Sequence, residues 1–394
     1  MRLTVLDYST TSRHQAFVPE NGPRSISAVR VLRLSITDRC NYRCVYCMPE
    51  DGVPWIDHHK LLSFDEIANV VRAAVNIHGI RRFKLTGGEP TVRPKLVDLV
   101  RLLKTIDGVD DLSLTTNGQL LPELARPLRD AGLDRITVSI DSLDPAKFRR
   151  ITRTGDLARV LHGLDRCLEA GFTGVKINCV TMRGTNDDEL AHFARLTLDR
   201  PITVRFIEYM PLGDASLLHE PDIQPAASET GPAAGCGAQD RARLLAENGD
   251  AASFHGSETG TQLVSGPLIP EPEAREMIES ECGPLEPVVR DSEPGVGPAV
   301  VYRLALGNPR GRIGFISSMS APFCATCNRL RLTADGILRS CLFDGGEINI
   351  RPILRDPTSR HLHRDLADAM TACVKLKPDL HSGRGDKQMS RIGG

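Results

Sequence analysis

Residues 40–47 read CNYRCVYC, which places Cys40, Cys44 and Cys47 on one eight-residue span with an asparagine, two tyrosines and an arginine. A closed structural zinc site takes four ligands, and thiolate-bound iron–sulfur clusters are usually held by four cysteines. Three thiols therefore imply a metal site with one position left open, or a fourth ligand elsewhere in the chain. The stretch just before, VLRLSIT (31–37), reads as a strand. The thiols thus follow a strand's carboxyl end, where α/β barrels and open sheets assemble their sites.

The same pattern continues to about residue 209. RRFKLT (81–86), DLSLTT (111–116), ITVSID (136–141), GVKINCV (174–180) and ITVRFIEYM (202–210) read as further strands. Between them, Ser63 and Glu66 form a capping box opening FDEIANVVRAAVNIHG, whose apolar residues recur at three and four. KLVDLVRLLKTI, LPELARPLRDAG, DLARVLHGLDRCLEAG and NDDELAHFARLTL also read as helices, and glycine stands ready as a C-cap for three of the set. Six strands alternating with five or six helices predict right-handed parallel βα units. An open Rossmann-like sheet and a whole or partial TIM-type barrel both satisfy that count.

The chain has 394 residues, enough for two domains, and 49 Lys plus Arg balance 50 Asp plus Glu. Near-zero net charge gives no general argument for a nucleic-acid or membrane partner, so any anion site must come from local cations. MRLTVLDYSTTSRHQ lacks the apolar run of a signal peptide, and no apolar stretch reaches the length of a membrane span. A cytoplasmic protein is expected. Eleven cysteines, an odd number, then point to metal or redox chemistry and not to a disulfide framework.

Composition shifts at Asp214. Residues 214–262 hold six Leu, Ile, Val or Phe in 49 positions, with eight acidic residues and two Arg. So little apolar surface cannot offset the entropy of ordering, which predicts a disordered acidic insertion with at most one short helix near QDRARLLAEN. Structured sequence resumes near Leu263, with a helix at PEAREMIESEC and strands at VVYRLAL and GRIGFIS. The first 24 residues and those after about 377 read as loops.

Two more motifs carry chemistry. TGGEP (86–90) puts a glycine pair between strand and helix, where the missing side chains let backbone approach a ligand. Downstream, FCATCNRLRLTADGILRSC supplies Cys324, Cys327 and Cys341, a second set of three, with Arg329 and Arg331 beside it pointing to an anion. Three thiolates can hold three irons of a [4Fe-4S] cube and leave the fourth free for a small molecule.

CNYRCVYC together with TGGEP resembles the radical S-adenosylmethionine (SAM) superfamily, and both cysteine trios in this order resemble its GTP 3',8-cyclase (MoaA) family of molybdenum cofactor biosynthesis. The likeness runs over about residues 30–213 and 263–394. It includes LRLSITDRCNYRCVYCMP, LTTNG, DRITVSID, RFIEYMPLG, GRIGFISSMSAPFC, CNRLRLTADG and the final Gly393 and Gly394.

The resemblance implies two [4Fe-4S] clusters, one on Cys40, Cys44 and Cys47 with SAM on its open iron, the other on Cys324, Cys327 and Cys341 with its open iron at the guanine of GTP. Tyr46, Gly88, Thr116, Ser139, Lys176 and Met210 would contact SAM. Arg33, Lys84, Arg205, Arg329, Leu330 and Arg331 would contact GTP, several of them at its triphosphate. Arg33, Lys84, Arg329 and Arg331, with Gly393 and Gly394 reaching into the site, would serve catalysis. Implied chemistry is reductive cleavage of SAM to a 5'-deoxyadenosyl radical, abstraction of the 3' hydrogen of GTP, and attack on C8. An electron donor, and cyclic pyranopterin monophosphate synthase as consumer of the product, are the implied partners, with a monomer or homodimer as the assembly.

The expected fold is a partial (βα)6 TIM-type barrel over residues 25–213, after an extension at 1–24. The insertion at 214–262 and a smaller region at 263–394, which carries the second cluster and covers the barrel opening, complete it. Lys84 departs from the family's common Arg and loses the bidentate fork, and the insertion exceeds the family's usual connection. Two alternatives share the thiols: a peptide-modifying radical SAM enzyme with an auxiliary cluster, and a non-catalytic iron–sulfur or zinc redox protein. The first gives no reason for Arg-x-Arg beside the second trio, the second none for TGGEP. Cys167 and Cys179 are expected in the core, Cys236 falls in the insertion, and Cys282 and Cys373 have no partner spacing.

Overall fold

A computed structural model describes residues 22–212, 267–289, 297–383, 385, 387 and 389–392. The acidic insertion, Cys236, Gly393, Gly394 and most of the N-terminal extension lie outside these residues.

Six strands run in chain order: β1 (Val31–Ser35), β2 (Arg82–Thr86), β3 (Asp111–Thr116), β4 (Arg135–Ser139), β5 (Val175–Thr181) and β6 (Ile202–Glu208). Each pairs in parallel with the next. The intervening helices are α1 (Phe64–His78), α2 (Leu96–Lys104), α3 (Leu121–Asp130), α4 (Pro145–Thr152), α5 (Leu157–Glu169) and α6 (Leu190–Asp199). The capping box is formed: Glu66 N–H donates to Ser63 Oγ (3.1 Å) and Ser63 N–H to Glu66 Oε2 (2.6 Å). Gly79 ends α1 at φ 65°, left-handed backbone that glycine adopts without steric cost. Helix α4 was not anticipated, because PAKFRRIT is short and rich in cations. Yet Pro145 at its first turn and the Asp144 side chain capping Lys147 N–H nucleate it.

The later chain gives α7 (Glu271–Cys282), β7 (Leu285–Pro287), β8 (Val300–Leu304), β9 (Arg312–Ile316), β10 (Arg329–Leu332), β11 (Ile337–Arg339), β12 (Glu347–Asn349) and α8 (Leu362–Lys375). Its strands extend the same sheet at both edges, giving the order β12-β11-β10-β1-β2-β3-β4-β5-β6-β9-β8-β7. Because β10 is parallel to β1 and β9 to β6, eight consecutive strands run parallel, with antiparallel pairs outside them.

Side-chain alternation assigns the two faces. Leu32, Leu34, Phe83, Leu85, Leu112, Leu114, Ile136, Val138, Ile177 and Val204 are all fully or almost fully buried within the core shared with the helices. Cys167 and Cys179 join that core. The alternate residues face inward and are mostly polar. Among the described residues no helix is long and apolar enough to cross a membrane.

Candidate active site

The inward face encloses a cavity of about 380 Å³. Its walls are the period-two partners of the core residues, such as Arg33 on β1, Lys84 on β2, Thr115 on β3, Thr137 on β4, Asn178 on β5 and Arg205 on β6. Shared lining by all these strands means the sheet curves around the space, as a partial barrel does. All six cysteines of the two trios border it.

Register fixes where the trios lie. Arg329 pairs with Val31, so Cys324 and Cys327 precede the amino ends of β10 and β1. β11 returns antiparallel with Arg339 opposite Arg331, and delivers Cys341 to the same end. Cys40, Cys44 and Cys47 follow the carboxyl end of β1. The trios therefore cap opposite ends of one cavity, on the order of 15–20 Å apart at about 3.3 Å per strand residue.

The first trio's loop is braced by TGGEP. Gly88 N–H donates to Thr37 O (2.8 Å) and Glu89 N–H to Arg39 O (2.7 Å). A Cβ on Gly88 would lie 2.5 Å from Asp38 O, so glycine is required here by the approach of the cysteine loop. The close approach is between two stretches of chain. Buried Glu89 accepts from Thr91 N–H (2.9 Å), the Thr91 hydroxyl (2.5 Å), the Thr116 hydroxyl (2.6 Å) and Asn117 N–H (2.6 Å). Burial still pushes its carboxyl up.

Burial and then Glu89 push the Cys40 thiol to about 12. Burial raises Cys44 well above the ordinary value, helped by Cys47 and Cys40, and lifts Cys47 to about 11. Three mutually repelling thiolates there need a cationic centre. Tyr42 N–H already points at Cys40 Sγ (3.4 Å), a backbone donor suited to a bound thiolate. Among the described residues no three His, Cys, Asp or Glu side chains gather tightly enough to share one ion. An iron–sulfur cube makes no such demand, because each thiolate meets a different iron. All ten described cysteines are free thiols.

At the other end, burial raises Cys324. Burial would also raise Cys327, but Arg329 and Lys377 outweigh it and bring the thiol down to about 7. The Lys377 ammonium donates to Cys327 O (3.0 Å).

Between the ends stands a band of cations. Arg33 is the register partner of both Arg331 and Lys84. Lys84 Nζ donates to Thr115 Oγ1 (3.1 Å) and Thr137 Oγ1 (3.4 Å), and Arg205 Nη2 to Asn178 Oδ1 (2.5 Å), all neutral acceptors. Arg205 Nε is buried without a hydrogen-bond partner. Burial, then Arg331, Arg329 and Arg205, lowers Arg33 well below its ordinary value. Burial, then Arg205 and Arg33, does the same to Lys84. Burial and Arg135 bring Arg205 to about 10, and burial and Arg329 bring Arg331 to about 9. Burial leads each of these shifts and a neighbouring cation deepens it.

Tyr46, Gly88, Thr116, Ser139, Lys176, Met210, Arg33, Lys84, Arg205, Arg329 and Arg331 all border the cavity. Leu330 does not: strand alternation turns its fully buried side chain into the core, between the cavity-lining Arg329 and Arg331. Gly393 and Gly394 lie outside the described residues, but Met389 and Ser390 just before them border the cavity. Sequence reading missed Asp141, whose carboxylate accepts from the Tyr46 hydroxyl (2.7 Å) and Val180 N–H (2.8 Å). It also missed Asn178 and Thr137, whose inward alternation with Lys176 and Ser139 was the available signal.

Comparison with known proteins agrees with this anatomy. Residues 34–197 match the family described as the Radical SAM superfamily, and residues 254–383 the one described as Molybdenum Cofactor Synthesis C. A GTP 3',8-cyclase of Pelotomaculum thermopropionicum is 41% identical over 370 residues, covering 93% of this chain and 98% of the relative. Proteins of the same name from Heliobacterium modesticaldum and Moorella thermoacetica are each 41% identical, over 372 and 370 residues, with the same coverage.

Proposed function

We propose, for a chain that belongs to the GTP 3',8-cyclase family of radical SAM enzymes, that the cavity holds GTP stretched between two iron–sulfur clusters while its cation band grips the triphosphate. The enzyme performs the first step of molybdenum cofactor biosynthesis, using SAM at a [4Fe-4S] cluster. Cys40, Cys44 and Cys47 hold that cluster, and Cys324, Cys327 and Cys341 hold a second. With SAM bound, the first cluster would supply radical chemistry at C3' of GTP on taking one electron from an external reductant, and closure of C3' onto C8 would be completed by a further electron and a proton.

The observation that carries this reading is the placement of two thiol trios at opposite ends of one cation-lined cavity. Arg33, Lys84, Arg205 and Arg331 relieve their mutual repulsion when a polyphosphate enters, each by a charge-assisted hydrogen bond. Such anchoring fixes the ribose relative to both ends and supplies the orientation on which the chemistry depends. Tyr46 is held by Asp141 on the SAM side, and Thr116, Ser139, Lys176 and Met210 complete that wall. Burial of the reacting centre keeps water and oxygen from the radical. The enzyme works in the cytoplasm, draws its electrons from a separate reductant, and passes its product to cyclic pyranopterin monophosphate synthase.

Iron and sulfide counting on anaerobically prepared protein tests the two-cluster arrangement. About eight irons per chain are expected, falling to about four in Cys327→Ser. Four irons in the unaltered protein, or zinc in place of iron, would refute it.

A further inference from the structure

We infer that Arg153 is a positioning residue for the first cluster, holding the cysteine loop in the shape that presents its thiolates and SAM to the cavity. The inference needs only the radical SAM cluster and not the GTP reading.

The end of α4 forms a template for residues 41–48. Arg43 N–H donates to Thr152 O (3.1 Å) and Val45 N–H to Ile151 O (3.0 Å), a strand-like pairing of the loop with the helix terminus. The Thr154 hydroxyl donates to Asn41 O (2.8 Å). Arg153 closes this cradle: its Nη1 donates to Arg43 O (3.0 Å) and to Met48 O (3.2 Å), the carbonyls that bracket Cys44 and Cys47. A cation shared between two carbonyls of an irregular loop satisfies groups that no regular structure serves, and ties both sides of the Cys44–Cys47 segment to one point.

Backbone geometry supports the same assignment. Arg153 has φ 61° and ψ −37°, a positive φ outside even the small left-handed region open to ordinary residues. A helix terminator alone would favour glycine at such a position. Arginine occupies it, and its side chain has a task that glycine could not perform. Strain of this kind persists where surroundings over-determine a position, commonly at a functional site. Two residues on, the chain is packed just as tightly: a Cβ on Gly155 would lie 2.6 Å from Thr152 Oγ1 and 2.9 Å from Tyr42 of the cysteine loop.

Two substitutions separate grip from strain. Arg153→Gly removes both the guanidinium and the backbone conflict, whereas Arg153→Lys keeps a cation of similar reach. Each is made in protein carrying Cys324→Ser, Cys327→Ser and Cys341→Ser, so that spectra report the first cluster alone. After anaerobic reconstitution, R153G is expected to unfold no earlier than its parent, yet to bind SAM about tenfold more weakly, the scale of losing charge-assisted bonds. Its reduced cluster should show an altered electron paramagnetic resonance signal that responds less to SAM, and R153K should recover part of both. Parental SAM affinity and signal in R153G would overturn the inference. So would earlier unfolding of R153G with an unaltered signal, which would assign the arginine to α4 instead.

Discussion

Arg33 on β1 is the direct register partner of Lys84 on β2, two half-buried cations side by side on a wall where a barrel ordinarily packs aliphatic side chains. The arrangement destabilises the empty fold and favours a polyanion. Stability and binding should therefore move in opposite directions on removing one charge. Lys84→Met is expected to raise the thermal midpoint of ligand-free protein while weakening GTP binding about tenfold, the scale of one charge-assisted hydrogen bond. Calorimetry with and without GTP reads both; a lower midpoint or unchanged affinity would contradict the role given to Lys84.

The fork that lysine lacks can be restored. Lys84→Arg should bind GTP at least as tightly as the natural residue, because a planar guanidinium meets phosphate oxygens with two donors. Its longer reach must fit between Thr115 and Thr137, which now receive the ammonium. Titration with GTP distinguishes a gain from a clash.

Asp141 predicts a pH dependence. Burial raises its carboxyl from 3.8 to about 6, against the pull of the Tyr46 hydroxyl and Val180 N–H. The folded state thus binds this proton more tightly than the unfolded chain, so ionisation destabilises the fold above about pH 6. That penalty, about 3 kcal/mol at most, is relieved as pH falls toward 3.8. Asp141→Asn should raise the thermal midpoint at pH 7.5 more than at pH 5, and should weaken SAM binding by loosening Tyr46. An equal shift at both pH values would remove Asp141 as the source.

The C-terminal segment reaches the cavity through Met389 and Ser390, and Arg391 donates to Pro54 O (2.7 Å) beyond the cysteine loop. Removing Gly393 and Gly394 should abolish cyclisation while leaving both clusters assembled. Unchanged turnover with full iron content would refute a role for the tail.

Much of this was legible in the sequence. Parallel strands announced themselves because each has one apolar face, as in Leu32 and Leu34 flanking Arg33, and DLSLTT was bounded to the residue as Asp111–Thr116. What could not be read was which end of the barrel holds Cys324 and Cys327. That depends on β10 pairing in parallel with β1, a long-range fact with no local signal. Arg329 and Arg331 were identified as anion ligands, but the strand that carries them was not, since its only outward apolar residues are Leu330 and Leu332. Leu330, between those arginines, keeps its side chain in the core, as period-two alternation implies. TGGEP is read from sequence as letting backbone approach a ligand; its glycines also clear space for the loop beside it. Only a contact between distant stretches of chain could reveal that.

Isotope transfer during anaerobic turnover tests the central claim most directly. GTP deuterated at the 3' carbon, incubated with SAM and a reductant, should yield deuterium-bearing 5'-deoxyadenosine together with a cyclised isomer of GTP. If 5'-deoxyadenosine forms without deuterium and GTP is recovered intact, the cavity does not hold GTP between the two thiol-lined ends.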